Sequence, residues 1–241
     1  MHRVTIANLT EDARRTRTLG VIVGSFDPLH RGHEWMVRQL LRRCNRVLLL
    51  VPLRHFDKHP VWPVNATFTQ RLAMIARLSE RSGGRVLGGV TREALFVRLA
   101  DELAALFPDA AITFAMGDDT WRRLLRSPEY FARLGLPWTA ADAGRLARLS
   151  RRVMAFGRSG DAAGRIRVPA AVRDISSTRI RALAVAGADD AALRRFVAPD
   201  ILAICRRAGL YREPATGRSR GERGSAPPSP QPPVVPDPTL C

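Results

Sequence analysis

Gly24-Ser25-Phe26-Asp27-Pro28-Leu29-His30-Arg31-Gly32-His33 follows directly on the apolar run Leu19-Gly20-Val21-Ile22-Val23. A run this short and continuously apolar reads as a strand of a parallel sheet. It stops at a glycine, turns through Asp-Pro and enters a helix at about Arg31. Such a turn presents backbone N–H groups, and the helix N-terminus adds the positive end of its dipole, so the segment is built to receive phosphate. His30 and His33 bracket Gly32, placing two ring donors where a close backbone approach is possible.

Working outward, the same alternation recurs. Helical patterns are predicted over about Arg31–Arg43, Thr67–Glu80 and Glu93–Leu106, separated by strands at Val47–Val51, Arg85–Val90 and Ala111–Met116. Two more short strands are predicted at Arg152–Phe156 and Arg165–Val168, around Gly157-Arg158-Ser159-Gly160. Helices starting at Ser176 and running from about Pro199 to Ala208 complete the pattern. Strands alternating with helices imply an α/β fold: a Rossmann-like, doubly wound, mostly parallel sheet with helices on both faces. Ligands of such sheets bind beyond the carboxyl ends of strands, where the strand order reverses, and Gly24 lies at such an end. The expected organisation is an arm over residues 1–18, one domain over 19–212, and a disordered tail rich in Pro, Arg and Ser over 213–241.

The chain has 241 residues, of which 46% are hydrophobic, enough for one sizeable core. No apolar run is long enough to cross a bilayer, and the start lacks the apolar stretch of a secretory signal. Cys44, Cys205 and Cys241 are odd in number and scattered, which points to no disulfide framework and to a reducing, cytoplasmic setting. The net charge of +17 would suit nucleic acid, yet only Lys58 among the 39 Lys and Arg residues is a lysine. Arginine used everywhere is a coding bias rather than a binding stripe, and basic charge also steers polyphosphate anions. Nucleic acid is therefore not expected as the main partner.

The second informative stretch is Asp174-Ile175-Ser176-Ser177-Thr178-Arg179-Ile180-Arg181. Three hydroxyls at a helix start can cap N–H groups or bind phosphate oxygens, and Arg179 can clamp them. Taken alone, the segment suits an ordinary helix cap with an exposed arginine. His30-x-x-His33 could form half of a zinc site, but no other His, Cys or acidic cluster has matching spacing, so no metal ligands are assigned. Trp62, Trp121 and Trp138 suit packing more than base stacking. Lys58 lies in a polar loop, His55-Phe56-Asp57-Lys58-His59-Pro60. Its point charge on a flexible stem, in a chain otherwise all arginine, fits a phosphate contact as well as a solvated loop. His55 and His59 are four apart, but Pro60 argues against a helix that would pair them.

Together, the turn with His-x-Gly-His and the Ile-Ser-Ser-Thr-x-Ile-Arg stretch resemble the paired signature of the nucleotidyltransferase superfamily, and most closely bacterial nicotinate/nicotinamide mononucleotide adenylyltransferases. The resemblance covers about residues 19–212. It takes in Pro52…Lys58, the Gln70–Met74 helix, Phe114–Asp119 ending in Gly-x-Asp, and Pro199 through Tyr211. It implies transfer of AMP from ATP, with Mg²⁺, to a phosphorylated small-molecule acceptor, the phosphate of nicotinate or nicotinamide mononucleotide, releasing pyrophosphate in NAD biosynthesis. His30 and His33 would hold ATP phosphates, with His33 near the α-phosphate. Gly24, Ser25 and Phe26 would give backbone contacts. Ser176, Ser177, Thr178 and Arg179 would take the departing phosphates, and Asp119 would accept from the adenosine ribose.

Gly88-Gly89-Val90-Thr91-Arg92-Glu93 departs from the family's acidic stretch and Ser-Tyr-Thr turn, so the resemblance supports the ATP half of the site more than the acceptor half. The alternatives are a different phosphorylated acceptor, or a nucleotide-binding regulator without turnover. The intact His30, His33 and Arg179 argue against the latter.

Overall fold

Two apolar layers pack on opposite faces of one twisted sheet, and the alternation of side chains along its strands explains why. A computed structural model describes residues 3–53, 66–93, 95–157 and 166–212. In chain order the elements are β1 (Val4–Ile6), α1 (Glu11–Arg14), β2 (Thr18–Val23), α2 (Arg31–Leu41), β3 (Arg46–Pro52), α3 (Phe68–Arg81), β4 (Val86–Thr91) and α4 (Phe96–Leu106). They continue with β5 (Ala111–Gly117), α5 (Asp118–Leu125), α6 (Ser127–Arg133), α7 (Ala140–Ser150), β6 (Val153–Gly157), β7 (Ile166–Arg167), α8 (Ala170–Arg173), α9 (Ser177–Val185), α10 (Asp190–Leu193) and α11 (Pro199–Arg207).

In β3, Val47, Leu49 and Val51 join one core with Val37 and Leu40 of α2, Met74 and Ile75 of α3, Ile180 of α9 and Ile201 of α11. Leu48 and Leu50 join the other, with Val97, Leu99 and Leu103 of α4, Leu124 of α5, Phe131 of α6 and Leu149 of α7. Both faces are buried, so the run Val47–Val51 must be apolar throughout. The sheet order is β1-β4-β3-β2-β5-β6-β7, with β1 antiparallel to β4 and the other pairs parallel. From β2 the chain winds outward to β3 and β4, then returns to β5 on the other side of β2. The reversal between β2 and β5 is the switch point at which doubly wound sheets bind ligands.

The sequence reading and the structure differ at the N-terminus. The arm expected to precede the domain instead extends its sheet, with Val4 opposite Thr91, Thr5 opposite Val90 and Ile6 opposite Gly89. Residue 19 is therefore no edge of the fold. Asn8 fastens the arm, donating from Nδ2 to Val86 O at 3.2 Å and accepting at Oδ1 from Gly88 N–H at 2.8 Å. Glycine at position 89 permits this pairing, because a Cβ there would lie 2.6 Å from Thr5 O.

The helix expected from Glu93 begins at Phe96. Thr91 Oγ1 and the Glu93 carboxylate hold the intervening turn instead, accepting from Glu93 N–H and Leu95 N–H. Arg158–Gly160 and the tail over 213–241 lie outside the described residues. Among the described residues no helix is long and apolar enough to cross a membrane.

Candidate active site

The opening stretch leaves the sheet at Gly24, whose N–H still donates to Leu50 O at 3.0 Å. Phe26 then adopts φ 48°, which buries its ring completely, and the Asp27–Pro28 peptide is cis. His30 is extended and caps α2. Its Nδ1 accepts from His33 N–H at 3.4 Å, while His33 Nδ1 accepts from His30 N–H at 3.3 Å. The two rings stack with centroids 3.6 Å apart and planes inclined by 19°. A ring nitrogen that accepts an amide N–H carries no proton, which puts the proton of each neutral ring on Nε2 as a donor. The histidines thus serve a capping box and a donor pair at once. Gly32 makes room for this, since a Cβ there would meet the His30 ring at 3.0 Å. Phe26 supports His33 edge-on, with ring centroids 5.0 Å apart.

The second stretch arrives at the same place. Ser176 caps α9, its Oγ accepting from Arg179 N–H at 3.2 Å. Ser177 Oγ donates to Pro28 O at 3.1 Å, across 149 positions of sequence. That bond uses the hydroxyl proton of Ser177, and with Arg179 N–H given to Ser176 the N–H groups of Ser177 and Thr178 are the first-turn donors of α9 with no acceptor within the helix. The N-termini of α2 and α9 therefore both lie beside the turn, where their dipoles add positive ends, although Arg31 N–H at the start of α2 is already given to Phe196 O at 2.8 Å.

The arginines divide. Arg179 is exposed; its Nη1 donates to Asp174 O at 3.3 Å, and its guanidinium lies over the Phe196 ring at 5.4 Å. Arg181, to which the sequence reading gave no role, faces the turn, and its Nη1 donates to Asp27 O at 2.6 Å. The signal available in sequence was the motif's own last position. Arg71, which the resemblance picked out in the Gln70–Met74 helix without giving it a role, reaches the same turn. It is buried, donating from Nε to Ala66 O at 2.8 Å and from Nη2 to Asp27 Oδ2 at 3.4 Å.

Asp119 is exposed in the first turn of α5, beyond the carboxyl end of β5 and so at the switch point with Gly24. Thr178 is exposed, while Ser25, Ser176 and Ser177 are half-buried. Lys58, with His55, His59 and Trp62, lies outside the described residues. Trp121 and Trp138 pack against the second core, Trp138 edge-on to Phe131 with centroids 4.9 Å apart, as packing residues should. Among the described residues no group of three or more His, Cys, Asp or Glu could hold a metal ion.

The cytidylyltransferase-like family matches residues 21–183 of the chain. A protein from Gluconacetobacter diazotrophicus, named as a probable nicotinate-nucleotide adenylyltransferase, is 35% identical over 131 residues, which cover 47% of this chain and 58% of that relative. One of the same name from Thermus thermophilus is 31% identical over 120 residues, covering 46% of this chain and 64% of that relative. The match thus spans less than two thirds of either relative. The solved structure of Plasmodium falciparum nicotinic acid mononucleotide adenylyltransferase complexed with NaAD shares the fold, with a TM-score of 0.59 at 15% identity, covering 81% of this chain and 97% of that one. The same protein complexed with APC gives a TM-score of 0.60.

Proposed function

Because this chain belongs to the cytidylyltransferase-like family, we propose that it is an adenylyltransferase that moves AMP from ATP to the phosphate of nicotinate or nicotinamide mononucleotide, as a step in making NAD. The observation that carries this reading is the meeting of two helix N-termini and the His30–His33 donor pair at the switch point, fastened by Ser177 on Pro28 and Arg181 on Asp27. An oxygen of the acceptor's phosphate attacks the α-phosphorus in line. The bond to the bridging oxygen breaks, and pyrophosphate leaves with the electron pair. No covalent enzyme intermediate is required, so catalysis is positioning plus charge neutralisation.

In this reading His33 and His30 donate from Nε2 to the phosphate oxygens, His33 at the α-phosphate. The N–H groups around Ser176, Ser177 and Thr178, with Arg179, receive the departing β- and γ-phosphates. Gly24, Ser25 and Phe26 offer backbone contacts, Asp119 accepts from the adenosine ribose, and Lys58 adds a phosphate contact. Mg²⁺ enters with ATP as part of the substrate and neutralises the triphosphate.

The test is to supply the purified full chain with ATP, Mg²⁺ and nicotinate mononucleotide, then a panel of other phosphorylated acceptors. Pyrophosphate and a dinucleotide are expected. No pyrophosphate from any acceptor would overturn the reading.

A further inference from the structure

One hydrogen bond joins the chain beyond α11 to the opening turn. Tyr211 Oη donates to Asp27 Oδ1 at 2.5 Å, and both side chains are buried. The same oxygen accepts from Ala66 N–H at 2.9 Å, and Oδ2 faces Arg71 Nη2 at 3.4 Å. Arg181 reaches Asp27 from α9, its Nη1 on the backbone oxygen and 4.0 Å from Oδ2. Segments at residues 66, 71, 181 and 211 thus converge on one carboxylate.

The backbone is unusual at Tyr211 and at Phe26, the residue before Asp27. Phe26 has φ 48° and Tyr211 has φ 58°, and these are the non-glycine residues with positive φ among the described ones. Side chains of L-residues disfavour this conformation, and it persists where the surroundings over-determine it, most often at functional sites. Stability alone does not explain the arrangement either. A buried carboxylate facing guanidinium groups is expensive to desolvate, and apolar residues of the same shape often stabilise a core equally well. Burial first, and then the charge of Asp27, push the Tyr211 hydroxyl above its ordinary value, so it remains a donor throughout the physiological range.

We propose that Asp27 and Tyr211 are positioning residues for the adenylyl transfer: their hydrogen bond fixes the turn from Phe26 to Pro28, and through it the His30–His33 pair. The connection is short. Phe26 packs edge-on against His33, and Pro28 holds Ser177 at the start of α9. Asp27, between them, sets the distance from the histidines to the N-terminus of α9. Neither Asp27 nor Tyr211 touches a reacting atom. The inference rests on the adenylyltransferase reading above.

Tyr211→Phe tests it, keeping the buried ring and deleting only the donor. Measured well below the melting temperature of the variant, kcat per folded molecule falls about tenfold or more, while the KM for ATP changes less than about twofold, because misplacement acts on the transition state. The ring resonances of His30 and His33 shift. Asp27→Ala, which deletes the acceptor, probes the same contact from its other side if Tyr211→Phe folds poorly. An unchanged kcat overturns the proposal, and so do unmoved His30 and His33 resonances. If the parent protein releases no pyrophosphate from any acceptor, the adenylyltransferase reading fails separately, and the ring resonances alone decide whether the contact positions the histidines.

Discussion

The hydroxyl of Ser177 donates to the carbonyl of Pro28 at 3.1 Å, joining the start of α9 to the turn that follows β2. Removing it with Ser177→Ala leaves a carbonyl without that donor and leaves Arg181 on Asp27 O to tie α9 to the turn. The expected cost is about 1 kcal/mol of stability, with kcat lower by about tenfold as the two anion-facing ends drift apart. Ser177→Thr keeps a hydroxyl and should restore most of both. Thermal unfolding and steady-state kinetics on the three proteins decide the matter. A lowered melting temperature with full kcat would mean that the bond serves the fold and not the site.

The histidine pair combines two roles that substitutions can separate. His30 is the N-cap of α2, and asparagine is itself a good N-cap. His30→Asn should therefore melt close to the parent while losing turnover by about 100-fold or more, the scale for removing one preorganised donor. His33→Ala should lose turnover as well. It should also cost about 1 kcal/mol, because the His30 N–H that its ring accepts is left without that acceptor. Full turnover in His30→Asn would remove His30 from the catalytic assignment.

What the sequence made legible was local. Val47–Val51 could be read as a strand because burial on both faces forces an unbroken apolar run, and the opening turn because a glycine, Asp-Pro and the start of a helix lie within a few residues. The three residues of β1 carry no such pattern; they belong to the sheet only because Gly89 lets Thr5 approach. Residues 179 and 181 are about 200° apart around a helix, so they face opposite ways, and nothing in their spacing says which one meets the turn. The partners of Asp27 were equally hidden, since Tyr211 lies 184 positions away.

Asp142 should make stability depend on pH. It is buried and closes a capping box at the start of α7, its carboxylate accepting from the Thr139 hydroxyl at 2.8 Å and the Thr139 N–H at 3.3 Å. Burial pushes its carboxyl up, but the Thr139 donors, then Arg98 and Arg145, outweigh burial and hold it below the ordinary value. A lowered folded value means a contribution fully present above the unfolded value and lost as the pH falls through the folded one. Asp142→Asn should therefore be less stable than the parent by about 1 kcal/mol at pH 7, with the gap narrowing as the pH drops below about 4. Melting curves across that range measure it, and a gap of constant size would show that the charge plays no part.

Gly89→Ala addresses the acceptor half of the proposed site. A Cβ at residue 89 would lie 2.6 Å from Thr5 O and 3.2 Å from Ile6 Cα, both backbone atoms, so β1 must move. Overpacking of this kind costs about 1–3 kcal/mol, and amide exchange at Val4–Ile6 should accelerate while β2 and β3 stay protected. The displacement has a route to the residues after β4. Arg3 O accepts from Arg92 N–H at 2.8 Å, and Arg3 Nη1 pairs with Glu93, which in turn holds Leu95 N–H. Arg92 and Glu93 close the Gly88–Glu93 stretch where the sequence departs from the family pattern and where the acceptor is expected. Lifting the arm should therefore raise the KM for the mononucleotide several-fold and leave the KM for ATP unchanged. A rise for ATP alone would assign the arm to the donor half and move the search for acceptor contacts away from β4.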